Sequence, residues 1–282
     1  MLQYFKLSLF GVDYLEKQYS SRGIILSLAK ALLYLAIWFA AQFLVIPVFG
    51  ALLLASTSGM TPDQQISLMM QYSMELNITV SCVTVLVLAL VARLTHSTLS
   101  ERAYINKMPP RFAFNTIIMG VSGAFAVVLL LGLATMSGII PEEWVSIQND
   151  TYSDVMVASP LMQLLSVGLV APVMEEILFR GFILGELKKE MHPWVAIAIS
   201  SLLFGVVHGT PLGIIYATCL GILLGWLTVK FNSIVPSLLF HMAYNCTQAY
   251  SDGISFIAAV IAIPIIVFEI IDINKNFRGK QQ

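Results

Sequence analysis

Long apolar stretches, several of them near the thickness of a bilayer, alternate along this 282-residue chain with short polar connections. A lipid core needs about 20 mostly apolar residues per helix, because no water is present to satisfy an exposed backbone. About eight such stretches are legible, near 24–54, 73–94, 113–136, 161–184, 194–208, 212–229, 234–250 and 254–271. The pattern predicts an all-α, polytopic integral membrane protein with about eight transmembrane helices. The fifth and seventh stretches are short, as expected of helices sheltered by neighbours or ending inside a cavity. Pro47, Pro172, Pro236 and Pro264 fall within or near the starts of spans, where neighbouring helices re-satisfy the freed backbone.

Around this single transmembrane domain, 24–271, the flanks read differently. Residues 1–23 mix Leu2, Tyr4, Phe5 and Phe10 with Lys6 and Lys17, the pattern of an interfacial helix. No cleaved signal peptide is expected, since the apolar run that follows is far longer than an h-region. Residues 272–282 form a polar tail. The longest connections, 55–72 and 137–160, have room for short helices, and neither an internal repeat nor a soluble domain is visible.

Composition agrees with lipid and excludes other classes. Hydrophobic residues make up 58% of the chain and charged residues 11%, against roughly 25% charged in a soluble domain. A net charge of -1 offers no global basic surface for nucleic acid. Three cysteines are too few and too scattered for a disulfide framework. All 15 Lys and Arg residues fall at alternate connections: around the start of span one, between spans two and three, at the end of span four, between six and seven, and in the tail. The opposite connections carry Asp63, Glu142, Glu143, Asp150 and Asp252 and no basic residue. The positive-inside rule then predicts a multi-pass protein of the cell membrane with both termini cytoplasmic.

Ionisable groups inside a membrane are costly, so each is a candidate for function. Lys30 reads as snorkelling from the inner end of span one, while Glu75, Arg93 and Glu269 read as span edges. Glu175, Glu176 and Arg180 in span four remain, with His208 closing span five and His241 and Asn245 in span seven. Residues four apart share a helix face, so Glu176 pairs with Arg180, whereas Glu175 is turned about 100° away and lacks an obvious local partner. A poorly solvated carboxylate of this kind suits a general base. At 1.5 Å per residue, Glu175, His208, His241 and Asn245 come to similar depths, about 16 to 22 Å from the inner surface.

Two imidazoles and a carboxylate can activate water in two ways. Glu175, His208 and His241 can hold a divalent metal, zinc foremost, that acidifies its bound water. Alternatively, Glu175 deprotonates water directly while the histidines and Asn245 stabilise the oxyanion. Sequence alone leaves both open.

Glu175-Glu176-Ile177-Leu178-Phe179-Arg180 fits E-E-x-x-x-R, Phe204 to His208 fits F-x-x-x-H, and His241 to Asn245 fits H-x-x-x-N. This ordered set resembles the CPBP family, the CAAX prenyl endopeptidases and bacteriocin-processing proteins also called the Abi family. The resemblance covers about 161–250 and implies a site built on the fourth, fifth and seventh helices. It implies an intramembrane endopeptidase acting on a membrane-associated peptide or protein. Glu175 would be the base, and Glu176, Arg180, His208, His241 and Asn245 would complete the site. It also implies bacterial roles in peptide maturation, signalling or self-immunity to bacteriocins, and both metal-dependent and glutamate mechanisms have been put forward for the family.

A non-catalytic membrane regulator or immunity partner keeping the same fold, and a proton-coupled transporter, are the alternatives. Neither H-E-x-x-H nor G-x-G-D occurs. Cys219 and Cys246 read as small packing residues, His96 and His192 as solvated, and Trp194 and Trp226 as interface anchors. Gly181/Gly185 and Gly221/Gly225 read as close-packing pairs.

Overall fold

In lipid each backbone polar group must be bonded within its own segment or by a neighbour, so the apolar stretches close into helices. The computed structural model is accordingly all-helical among the described residues, which are 19–57, 59–153, 158–250 and 256–277. In chain order the helices are α1 (Ser21–Ala55), α2 (Pro62–Gln71), α3 (Ser73–Leu94), α4 (Leu99–Arg102), α5 (Pro110–Met136) and α6 (Glu142–Thr151). They continue with α7 (Pro160–Glu190), α8 (Pro193–Val206), α9 (Pro211–Phe231), α10 (Val235–Tyr250) and α11 (Phe256–Asn276). The short α2 and α6 occupy the two long connections. Most of the interfacial segment expected over 1–23 lies outside the described residues, and Ser21 already begins α1.

Six of these helices are long and apolar enough to cross a membrane: α1, α3, α5, α7, α9 and α11. The fifth and seventh predicted spans, α8 and α10, have 14 and 16 residues, about 21 and 24 Å of helix against a hydrocarbon core of about 30 Å. Eight spanning helices were expected; six reach that length unaided.

The bundle is apolar on its surface as well as in its core, where Leu88, Phe179 and Phe240 are buried. Large apolar side chains such as Phe43, Leu94 and Met136 are exposed, as lipid permits. Among the buried apolar residues sit small polar ones that satisfy themselves on their own helix, as Thr84 does on the Val80 carbonyl and Thr116 on that of Ala113. The principal neighbours are α8 with α9, α5 with α10 and α11, and α1 with α3. α8 and α9 approach closely because glycines face the contact. A Cβ on Gly221 would lie 2.9 Å from that of Ser201, and one on Gly225 would lie 3.0 Å from Ile197.

Several expectations are corrected. Trp226 is buried in the core with Leu224, Leu227 and Phe240, because α9 is enclosed by its neighbours; it is no interface anchor. Lys30 does not simply snorkel, since its ammonium is 2.6 Å from the buried Glu186 carboxylate. Arg102 and Lys189 join the same carboxylate at 3.1 and 2.7 Å. Cys219 sits on the exposed surface of its helix. His192 accepts a hydrogen bond from the Trp194 N–H at 3.3 Å and so caps α8, while His96 is exposed as expected. Glu269 is no span edge: α11 runs on to Asn276, and the side chain is buried.

Candidate active site

Helix α7 is not a regular α-helix. Its turns widen to π-helix over Leu164–Val170 and again over Glu176–Ile183, with α-helical turns over Ala171–Glu175 between them. Such widened turns are rare and concentrate at functional sites. Pro172, which supplies no backbone N–H, falls just after the first of them. The E-E-x-x-x-R motif straddles the start of the second.

There the paired carboxylates part company. Glu176 is 0% exposed and Arg180 1%, with Arg180 Nη1 3.3 Å from Glu176 Oε1. The guanidinium also lies 4.2 Å from the centroid of the Phe204 ring, whose face offers it further electrostatic support. Glu175, one residue earlier, keeps 22% of its side chain exposed.

His241 connects the two. It comes from α10, is 2% exposed, and places Nδ1 3.0 Å from Glu176 Oε1. Its Nε2 lies 3.6 Å from Glu175 Oε2. The chain Arg180–Glu176–His241–Glu175 is therefore continuous, and the carboxylate without a local partner on its own helix has a partner on another.

His208 follows the end of α8. Its Nδ1 is 2.7 Å from the Phe204 carbonyl, one of the last acceptors of that helix. Gly209, at φ +75°, then turns the chain, and Thr210 caps α9 by accepting from the Gly213 N–H at 3.0 Å. Phe204 is the hub that the sequence reading used only for register. Its ring meets those of His208 at 4.8 Å, His241 at 5.9 Å and Phe179 at 5.1 Å. The leading aromatic of F-x-x-x-H was the available signal. Tyr216 of α9 lies on the other partner ring, 6.2 Å from His208.

Asn245 is not in this chain. Its Nδ2 donates to the Val167 carbonyl at 2.9 Å, within the first widened turn of α7. Ser166 in that same turn lies 3.3 Å from Asn77 Oδ1 of α3. The structure thus gathers Glu175, Glu176, Arg180 and His241 directly and His208 through Phe204, and holds Asn245 against the backbone one turn outward. Among the described residues no three His, Cys, Asp or Glu side chains gather closely enough to hold a metal ion.

Residues 157–247 match the model of a family described as type II CAAX prenyl endopeptidase Rce1-like. The putative membrane peptidase YdiL of Bacillus subtilis (strain 168) is 34% identical over 92 residues, which are 33% of this chain and 37% of that protein. The UPF0177 protein YxdF of Lactococcus lactis subsp. lactis (strain IL1403) is 32% identical over 103 residues, 36% of this chain and 56% of that protein. The chain therefore matches these relatives over less than two thirds of their length. No solved structure matches it. The matched region contains every residue of the Arg180–Glu176–His241–Glu175 chain, together with His208 and Asn245.

Proposed function

We infer that this chain, whose residues 157–247 match the type II CAAX prenyl endopeptidase Rce1-like family, is an intramembrane endopeptidase that hydrolyses a peptide bond of a membrane-associated peptide or protein. The observation that carries the reading is His241 set between two unlike carboxylates, at 3.0 Å from Glu176 and 3.6 Å from Glu175. Glu176, sealed and paired with Arg180, orients the imidazole. Glu175, partly open, is the group that reaches water.

In the reaction Glu175 takes a proton from water, and the oxygen attacks the carbonyl carbon of the scissile bond. Negative charge then develops on the carbonyl oxygen. His241, whose Nε2 lies 3.6 Å from Glu175, and His208, which packs on the far side of the shared Phe204 contact, stabilise that charge when protonated. Glu175 returns its proton to the departing amine, so the base of the first step is the acid of the second.

Substrate access is assigned to an apolar groove of about 520 Å³ lined by Ser81, Val85, Val170, Val173 and Met242 among others. Val173 and Met242 are close in sequence to Glu175 and His241, and the groove opens between α3 and α7. In the membrane α8 and α10 complete an eight-helix bundle as sheltered spans, with both termini on the cytoplasmic side where the basic residues lie. The bacterial relatives accord with a bacterial cell membrane.

Glu175→Gln tests the reading. It keeps shape but removes the base, so cleavage of a membrane peptide library by the purified protein in vesicles is expected to disappear while the protein stays folded. A biological role that survives the substitution would assign a binding function instead. Cleavage that persists in a strong chelator leaves the reaction with the side chains; loss restored by zinc would overturn the metal-free route.

A further inference from the structure

We propose that the groove between α5 and α11 is a binding site for a small amphipathic cation, an apolar body carrying one ammonium group, with Glu269 as its counter-ion. The groove has a volume of about 480 Å³ and is walled by Ile118, Ile261, Pro264, Ile265 and Phe268, with Glu269 as its ionisable member. That volume lies within the range of small-molecule sites, roughly 300 to 1,000 Å³.

Glu269 is 7% exposed and lies seven residues before the end of α11 at Asn276, about 10 Å into the span. Its Oε2 has no hydrogen-bond partner among the described residues. Arg111 acts on Glu269 only from a distance, its guanidinium being hydrogen-bonded 2.6 Å from Asp272 Oδ1. Asp272 in turn accepts from Asn115 at 3.1 Å and Asn276 at 2.7 Å. One turn of α11 thus carries a fully partnered carboxylate, and the adjoining turn carries a buried one, with an unpartnered oxygen, in the wall of an apolar groove.

Chemistry narrows the ligand. A buried carboxylate without a partner is costly in lipid, and a hydrocarbon filling the groove would leave that cost in place. A bare divalent cation is disfavoured, because it requires six or more oxygen ligands and the groove supplies one carboxylate. An ammonium satisfies the carboxylate with a charge-assisted hydrogen bond while its apolar body covers Ile118, Ile265 and Phe268.

The test is photolabelling of the purified full-length protein in a neutral detergent, with decylamine carrying a chain-end diazirine and the matched decanol as control. The amine is expected to label peptides of α5 and α11 at least about tenfold above the alcohol, the preference expected of a hydrogen bond to a charged group. Glu269→Gln should lower amine labelling to the level of the alcohol while melting temperature and elution stay those of the wild type. Equal labelling by amine and alcohol, or full amine labelling of Glu269→Gln, would overturn the proposal. Where Glu269→Gln does not purify folded, Ile265→Trp fills the groove instead. Amine labelling of the same peptides must then fall, and its persistence would equally overturn the assignment.

Discussion

His241 and Glu176, 65 positions apart in the chain, are joined by a contact of 3.0 Å between Nδ1 and Oε1. Since a carboxylate only accepts, this contact makes Nδ1 the protonated ring nitrogen and turns Nε2 towards Glu175. Glu176 therefore acts on the reaction through the imidazole and not through water. Glu176→Gln, which keeps an acceptor oxygen but not its charge, is expected to lower cleavage by about 10- to 100-fold. Glu175→Gln should abolish it. Parallel progress curves on one peptide substrate check the order; equal loss in both variants would place Glu176 at the reacting atoms.

Arg180 is expected to matter for stability more than for the chemical step. It is 1% exposed and its guanidinium neutralises a carboxylate that is 0% exposed. Arg180→Met leaves Glu176 charged and buried and should cost about 3–5 kcal/mol. The double variant Glu176→Leu with Arg180→Met removes both charges and should recover most of that loss, while cleavage stays low. Thermal melting in detergent of the two single variants and the double completes the cycle. A double variant as unstable as Arg180→Met would show that the cost is lost packing on Phe204.

Much of this site was legible because lipid leaves few polar residues to choose among. Glu175, Glu176, Arg180 and His241 stood out against an apolar background, and the Glu176–Arg180 pairing followed from their spacing. The faces of the helices were not legible. In a soluble helix the buried side is the apolar side, but a membrane helix is apolar all round, so no periodicity said that Trp226 points inward. Nor did it show that Glu269 is enclosed. The bridging by His241 was hidden for another reason. It depends on the widened turns of α7, which shift side chains from α-helical positions and which no spacing rule anticipates. The partner of Asn245, being a backbone carbonyl, left no mark in the side-chain pattern.

Asn245 separates a positioning role from a direct one. Its amide holds the Val167 carbonyl at 2.9 Å, and a widened turn leaves carbonyls that need such a donor. Asn245→Ala is expected to cost about 1 kcal/mol and to speed hydrogen exchange over 164–170, with cleavage falling through displacement of Glu175 relative to His241. Exchange by mass spectrometry and cleavage are read on the same preparation. Reduced cleavage with unchanged exchange would instead put the Asn245 amide on the substrate.

At the basic end of the bundle, Glu186 gathers Lys30, Arg102 and Lys189 within 2.6 to 3.1 Å, tying α1 and the α4 turn to the last turns of α7. The carboxylate is 4% exposed whereas Lys30 is 52% exposed, so the cations lose less than the carboxylate does when the cluster is broken. Glu186→Gln is expected to destabilise by about 1.5–3 kcal/mol, the range for hydrogen bonds to charged groups. Lys30→Gln should stay within about 1 kcal/mol, as exposed pairs do. Melting temperatures of the two variants against the wild type measure the difference. Because α7 carries Glu175 and Glu176 further along the same helix, Glu186→Gln should leave the cleavage rate of the folded fraction unchanged. A parallel loss of rate would mean that this cluster, some 15 Å of helix away, sets the position of the carboxylates as well as the stability of the bundle.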